Sequence, residues 1–225
     1  MVKHYSIAID GPSASGKSTV AKLIAKKLGF LYIDTGAMYR AFTLAVIEAN
    51  LDPKNEEESN SLIGKVDISF NDIYHITLNG KDVDARVREN DVANNVSYIA
   101  SYKEIRLHLV DIQRKIASNK SVVMDGRDIG TYVLPNADLK IYQVATPEER
   151  AKRRYKENLE KGIETTYEAC LENINKRDYI DSHRSFCPLH PAEDSIEINT
   201  TDMSIDEVVN AILNIAHSKG IKNVE

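Results

Sequence analysis

The sequence predicts an α/β protein, a parallel sheet of five strands flanked by helices with a small insertion of sheet character. Three observations predict it. Five short apolar segments (5–9, 30–33, 121–124, 139–144 and 195–198) alternate with amphipathic helical patterns, the order expected of a parallel sheet covered on both faces. The first segment runs into a glycine-rich turn and then directly into an amphipathic helix. From about residue 64 to residue 94 the pattern changes to short segments around tight turns, dividing the chain into a first core part (1–63), an insertion (64–94) and a second core part (95–225).

Tyr5–Ile9 forms the first strand and Asp10–Gly16 the turn. The following helix places Val20, Leu23, Ile24, Lys27 and Leu28 on one side and stops at Gly29. Phe30–Ile33 is a short buried strand, and Thr35 is placed to cap a helix over about Gly36–Ala49, which Asp52-Pro53 breaks. Asn55 and Glu58 form a reciprocal capping pair for a short helix ending near Gly64. Val66–Phe70 and Ile73–Leu78 read as strands, Asn79-Gly80 as a second tight turn, and Asp82–Asn95 as charged and mixed. Ser101, with Glu104 three residues on, opens a helix striped by Ile105, Leu109, Ile112 and Ile116. Ser121–Met124 is a strand ending in Asp125-Gly126-Arg127-Asp128, and Leu139–Val144 is the next. Thr146-Pro147-Glu148-Glu149 sets a cap, a first-turn proline and a third-position glutamate in order for a helix ending near Gly162. A further helix covers Thr166 to about Asp181, Ser195–Ile198 is the fifth strand, and Ser204 with Glu207 caps a terminal helix to about Ser218.

The 225 residues are 42% hydrophobic and 28% charged, the profile of a soluble globular chain with a substantial core. No stretch approaches 18 uncharged apolar residues, so no membrane span or membrane partner is expected. The start, MVKHYSIAID, lacks the apolar region and cleavage site of a secretory signal. Two cysteines, Cys170 and Cys187, cannot build a disulfide framework, which favours a reducing compartment and a cytoplasmic location. Lys and Arg number 29 against 34 Asp and Glu, a net charge of −5 that disfavours duplex nucleic acid as partner. Arg150, Arg153, Arg154, Arg177 and Arg184 nevertheless cluster along the chain, as a small anionic ligand requires. A monomer is expected.

Gly11-Pro12-Ser13-Ala14-Ser15-Gly16-Lys17-Ser18 matches the pattern glycine, four residues, glycine, lysine, serine or threonine, with Thr19 following. Successive backbone amides in such a turn encircle a phosphate at the positive end of the next helix. Lys17 then reaches the outer phosphates of a nucleoside triphosphate such as ATP, and the Ser18 hydroxyl ligates magnesium directly. A GTPase would add a guanine-reading Asn-Lys-x-Asp segment; Asn173-Ile-Asn-Lys176 does not fit it. Asp34 and Asp125 end strands at the edge where open sheets bind ligands. Either could hold the magnesium hydration shell through water or a second substrate, or merely terminate its strand.

Arginine grips phosphate bidentately, so Arg40, on the helix after the second strand, and Arg127, directly after the third, are either candidates for the phosphate of an acceptor nucleotide or ordinary surface arginines. Arg150 and Arg154 share a helix face, which suits either a lid that closes on ATP or a solvated charge run among Glu148, Glu149, Lys152, Lys156, Glu157 and Glu160. Arg177, Asp181 and Arg184 make one stripe if their helix continues, either a reader of sugar and base or a surface ion-pair ladder.

Taken together the motifs resemble the bacterial-type cytidylate kinases, in the P-loop nucleoside monophosphate kinase group. The resemblance is carried by Asp10–Thr19, Asp34-Thr-Gly-Ala-Met-Tyr-Arg40, Val92-Ala-Asn94, Asp125-Gly-Arg-Asp-Ile-Gly-Thr131, Glu149–Arg154 and Lys176-Arg-Asp178 with Asp181 and Arg184, and it spans essentially the whole chain. It implies a P-loop kinase core, a lid at about 150–165, and a monophosphate-binding insertion with an antiparallel sheet. It also implies transfer of the γ-phosphoryl of ATP to CMP or dCMP with magnesium. By resemblance, Arg40 and Arg127 hold the CMP phosphate with Thr35 near it; Ser97, Arg106, Asp128 and Arg184 surround cytosine; and Arg177 and Asp181 contact the sugar. Lys17, Arg40, Arg127, Arg150 and Arg154 would then act in catalysis. One departure is Ala14, where family members often carry glycine; little effect is expected from it unless the turn requires positive φ. The rival readings are a P-loop kinase for another small acceptor, a noncatalytic ATP-binding module and a nucleic-acid ATPase.

Overall fold

The computed structural model describes residues 3–71, 75–160 and 162–223. In chain order the elements are β1 (Ser6–Asp10), α1 (Lys17–Leu28), β2 (Leu31–Asp34), α2 (Thr35–Glu48), α3 (Glu56–Asn60), β3 (Ile68–Phe70), β4 (Ile76–Leu78) and β5 (Lys81–Asp82). A 3₁₀ turn at Arg86–Arg88 leads to α4 (Asn90–Ile99), α5 (Lys103–Ala117) and β6 (Val122–Gly126). A π-turn at Ile129–Val133 precedes β7 (Leu139–Val144), α6 (Pro147–Glu160), α7 (Tyr167–His183), β8 (Ile196–Asn199) and α8 (Ile205–Ser218). The chain divides into two compact units, Met1–Tyr32 with Lys120–Glu225, and Ile33–Asn119.

The five-stranded sheet has the order β2-β6-β1-β7-β8. Central β1 pairs in parallel with β6 and with β7, and β8 pairs in parallel with β7. Ile7, Ala8 and Ile9 are wholly buried, which is why the strand reads as an unbroken apolar run. Val20, Ile24 and Leu28 of α1 and Val208, Val209 and Ile212 of α8 pack with Ile7, Ile9, Val123 and Ile141 into one core. Each such side chain contributes about 1.5–3 kcal/mol. The register sets Asp10 beside Gly126 and beside Tyr142, so the segments leaving β1 and β6 depart from the same sheet edge.

In the second unit, Met38, Phe42, Leu44 and Val46 of α2 are buried, and α2 packs on α4 and β4. Strands β3, β4 and β5 form a separate antiparallel sheet in which Ile68 faces Leu78 and Thr77 faces Asp82. Asn79 and Gly80 turn with φ of 51° and 76°, the left-handed pair a two-residue hairpin needs. The expected strand start at Ile73 lies outside the described residues, as does Lys161 within the expected lid stretch.

Two local expectations hold: Thr146 accepts from the Glu149 amide, and Ser204 and Glu207 form a capping box. Thr166, read as the first residue of its helix, instead caps it by accepting from the Ala169 amide. Others are corrected. Asp34, not Thr35, caps α2 by accepting from the Ala37 amide at 2.8 Å, and Thr35 is the first helical residue. Ser101 does not open α5; its hydroxyl donates to the Tyr98 carbonyl and closes α4. α4 begins inside the stretch read as mixed (82–95) and continues beyond it, because Val92, Val96 and Ile99 recur at helical spacing among polar neighbours.

Candidate active site

The turn after β1 is shaped by close approach. A Cβ on Gly11 would meet the Gln143 carbonyl oxygen at 2.1 Å, so only glycine fits there. Ala14 sits at φ 57° and Gly16 at φ 87°. The expectation of little effect from Ala14 therefore changes: a left-handed alanine costs about 1–2 kcal/mol relative to an unstrained residue.

The loop carbonyls are held by donors from far along the chain. Gln143 Nε2 donates to the Ser15 carbonyl at 2.6 Å, Arg150 Nη1 to the Ser13 carbonyl at 3.0 Å, and Arg153 Nη1 to the Ser15 carbonyl at 3.3 Å. Asp178 accepts from the Ser13 amide at 3.2 Å and pairs with Arg150 at 2.6 Å. Because the peptide group is planar, pinning a carbonyl also fixes the direction of the N–H attached to it. Arg150 is thus buried beneath the loop, whereas Arg154 is 37% exposed and pairs only loosely with Glu157, at 3.8 Å.

Lys17 opens α1 with Ser18 and Thr19 behind it. Lys17 is buried and its Nζ donates to the Pro12 carbonyl at 3.0 Å. Burial, then the nearby Arg127 charge, lowers its pKa to about 7, with Asp125 and Asp181 opposing. An ammonium placed this way gains strongly from an incoming anion. The Ser18 hydroxyl donates to Asp125 at 2.6 Å and the Tyr32 hydroxyl donates to the other Asp125 oxygen at 2.9 Å.

Beyond β6, Arg127 Nε donates to Asp181 at 2.8 Å, and Arg184 lies 3.5 Å from Asp128. Burial pushes the Asp181 carboxyl up, but Arg127 and Arg184 outweigh it and hold the group ionised. Arg177, half-buried on α7, adds its charge to the same cluster. The arginine–aspartate stripe read from the sequence is therefore joined across the fold to Arg127 and Asp128 rather than laid out as a surface ladder. Asp10, at the end of β1, is buried and accepts from the amides of Ile129 and Gly130 at 2.8 and 2.7 Å.

Within the second unit, Arg40 Nη2 donates to Asp34 at 2.9 Å. The buried Arg40 Nε has no hydrogen-bond partner among the described residues. Burial raises the Asp34 carboxyl, but Arg40, the Ala37 amide and Arg88 outweigh it and keep it below its ordinary value. Thr35 is buried at the start of α2 and Ser97 is half-buried on α4. Arg106 is fully buried, donates to the Ala100 carbonyl at 2.8 Å and lies 5.3 Å from the Tyr39 ring centre.

Sequence reasoning missed Gln143 and Asp10 as architects of the site and gave Asp178 no role of its own. A glutamine inside an otherwise apolar strand was the available signal for the first. An aspartate ending β1 was the signal for the second. Among the described residues no cluster of three or more His, Cys, Asp or Glu side chains is placed to hold a metal ion.

The cytidylate kinase family profile matches residues 7–218. A cytidylate kinase of Ligilactobacillus salivarius is 49% identical over 222 residues, covering 97% of this chain and 99% of its own. That of Bacillus subtilis is 48% identical with the same coverage. The crystal structure of an uncharacterized protein from Eubacterium ventriosum shares the fold at a TM-score of 0.54 and 16% identity, over 96% of this chain and 99% of that one. With the glycine-rich Gly11–Ser18 turn after β1, acid–arginine pairs beyond β6, a family profile over most of its length and relatives matching nearly end to end, this chain belongs to the cytidylate kinase family.

Proposed function

We propose that the chain transfers the γ-phosphoryl group of ATP to CMP or dCMP, giving ADP and CDP or dCDP by direct in-line transfer. The observation that carries this reading is the loop Gly11–Ser18, its peptides held in place and Lys17 buried at its end, in a chain that matches cytidylate kinases along nearly its whole length. The loop amides and Lys17 bind the donor phosphates. Ser18 and Asp125 would hold magnesium: this cation takes one or two protein oxygens and fills its octahedron with water and substrate phosphates, and a hydroxyl beside a carboxylate fits that demand. When bound, magnesium neutralises charge on the transferring group. Asp34 is less suited, since its carboxylate already caps α2 and pairs with Arg40.

On the acceptor, Arg40 and Arg127 hold the CMP phosphate; the unpartnered Arg40 Nε supplies a donor for one oxygen. Thr35 lies by that phosphate. Arg177 and Asp181 take the sugar, and Ser97, Arg106, Asp128 and Arg184 surround the base. Asp128 accepts from the exocyclic amine of cytosine, a donor that uracil replaces with a carbonyl. Rejection of uracil therefore comes from an unpaired or repelled carboxylate. Arg154 reaches the transferring phosphoryl from the lid, because its 3.8 Å pairing with Glu157 is loose enough to give way to phosphate, while Arg150 acts through the loop carbonyl it holds. No general base is required, since a phosphate monoester is itself a competent nucleophile. The reading includes a cytoplasmic monomer that acts on free nucleotides and not on nucleic acid or membranes. Its support is the net charge of −5, two free thiols, and, among the described residues, no helix long and apolar enough to cross a membrane.

The test is steady-state ADP formation with MgATP and CMP, dCMP, UMP, AMP or GMP at matched concentrations, with the products identified. Strong turnover with CMP and dCMP is expected; a clear preference for UMP or AMP would remove the base assignments and leave the phosphate chemistry. Asp128→Asn is expected to lower kcat/KM for CMP by roughly 10- to 100-fold, as loss of a charged hydrogen bond does, with less effect on UMP. Equal loss for both would show that Asp128 does not read the base.

A further inference from the structure

The proposed donor loop and the proposed base-reading residues leave neighbouring strands, and one buried side chain joins them. Asp10 is the last residue of β1, immediately before Gly11. It is 5% exposed and accepts from two successive amides, Ile129 at 2.8 Å and Gly130 at 2.7 Å. Those are the first two donors of the π-turn Ile129–Val133, which directly follows Asp128. The first N–H groups of a helical turn have no partner within it, so Asp10 caps the turn from another strand.

The opposite side of the turn is equally confined. A Cβ on Gly130 would lie 3.1 Å from Lys140 Cδ and 3.4 Å from Asp10 Oδ2. Lys140 is itself fixed by the Pro135 carbonyl at 2.6 Å and Asp194 at 2.7 Å. The turn therefore sits between a carboxylate and a lysine stem, and the backbone of Asp128, whose carbonyl accepts from the amides of Tyr132 and Val133, is carried with it. Burial and the Asp128 charge raise the Asp10 pKa to about 6, against the pull of the two amides. A hydrophobic or amide side chain would avoid that cost, so the strand tolerates the acid for what it holds.

We infer that Asp10 is a positioning residue for acceptor discrimination: by clamping the amides of Ile129 and Gly130 it aims Asp128, and with it Arg184, at the acceptor base. The inference rests on the proposed role of Asp128. Both Asp10 oxygens are engaged by the two amides, so its loss acts first on the turn that carries Asp128; its weaker charge interaction with Lys17 is read out separately by KM for ATP.

The experiment measures kcat/KM for CMP and for UMP, and KM for ATP, in wild type, Asp10→Asn and Gly130→Ala. Asp10→Asn keeps the shape but presents an N–H₂ group to one of the two amides; Gly130→Ala presses the same turn from the Lys140 side and leaves Asp10 intact. Each is expected to lower the CMP-to-UMP ratio by about 10-fold, as one misaligned charged hydrogen bond would, with KM for ATP changed less than about twofold. Gly130→Ala carries the test alone if Asp10→Asn does not fold. A wild-type preference for CMP that survives in the variants, or a fall in kcat equal for both acceptors, overturns the inference and leaves the proposed function standing. A wild type with no preference for CMP overturns both.

Discussion

The phosphate loop and the Asn79-Gly80 hairpin turn are both built on left-handed residues, Ala14 and Gly16 in one and Asn79 and Gly80 in the other, yet they are held in opposite ways. The hairpin is secured from within its own small sheet: the Asn79 amide donates to the carbonyl of Asp67, 12 residues back at the start of the β3 segment, at 2.8 Å, and the Asp67 amide donates to the Asn79 side chain at 2.9 Å. The phosphate loop is secured by Gln143, Arg150 and Asp178, which lie 128, 137 and 165 residues from their partners in the loop. A turn that only reverses the chain needs local chemistry. A turn that must present its backbone to a ligand is braced from outside, because its own side chains would occupy the space the ligand takes.

Lys17→Met is expected to break the functional half of that contrast most severely, lowering kcat on the order of 10³-fold through lost charge stabilisation, without loss of stability in urea melts. The reason is that burial disfavours the Lys17 ammonium. Its folded pKa of about 7 lies below the ordinary 10.5, so between those values the unfolded chain binds more protons and stability rises with pH. The rise, present in the wild type from pH 7 to 10, should be missing in Lys17→Met; an identical pH profile in both would mean the ammonium is well solvated. Next in size, Arg150→Ala removes a buried guanidinium from its pair with the half-buried Asp178 and should cost about 2–3 kcal/mol. Arg154→Ala, one helical turn away and half-buried with only a 3.8 Å ion pair, should change stability by less than about 0.5 kcal/mol. Equal costs would erase the distinction between a braced loop and an ordinary one.

The smallest effects sharpen the comparison. Ala14→Gly relieves a left-handed alanine that makes no side-chain hydrogen bond and should stabilise the protein by about 1 kcal/mol in thermal or urea melts. Asn79→Gly relieves the same backbone strain but deletes the acceptor for the Asp67 amide, so it should gain nothing. Stabilisation by both would mean that the Asn79 side chain contributes nothing to its turn.

The same division explains what was legible in the sequence. The capping box at Ser204, the cap at Thr146, the Asn79-Gly80 turn and the phosphate motif itself are signals whose parts lie within a few residues of one another. The alternation of apolar strands with amphipathic helices was enough for the parallel sheet. Thr35 and Asp34 are both competent caps, and only the backbone decides that Asp34 precedes the first turn. Arg150 and Arg154 are indistinguishable by spacing and composition; burial under Ser13 separates them. Asp10 and Gln143 acquire meaning only once β6 and β7 lie beside β1.

The distance spanned by these braces also dictates an order of events. When the chain emerges from the ribosome, β1 and its turn appear first, but the strands on either side of β1 begin at Val122 and Leu139, and Asp178 comes later still. An N-terminal fragment contains every residue of the phosphate motif and none of the groups that shape it. The loop therefore matures late, after most of the first unit has been made and docked, and a chain truncated before α7 would carry the motif without its geometry.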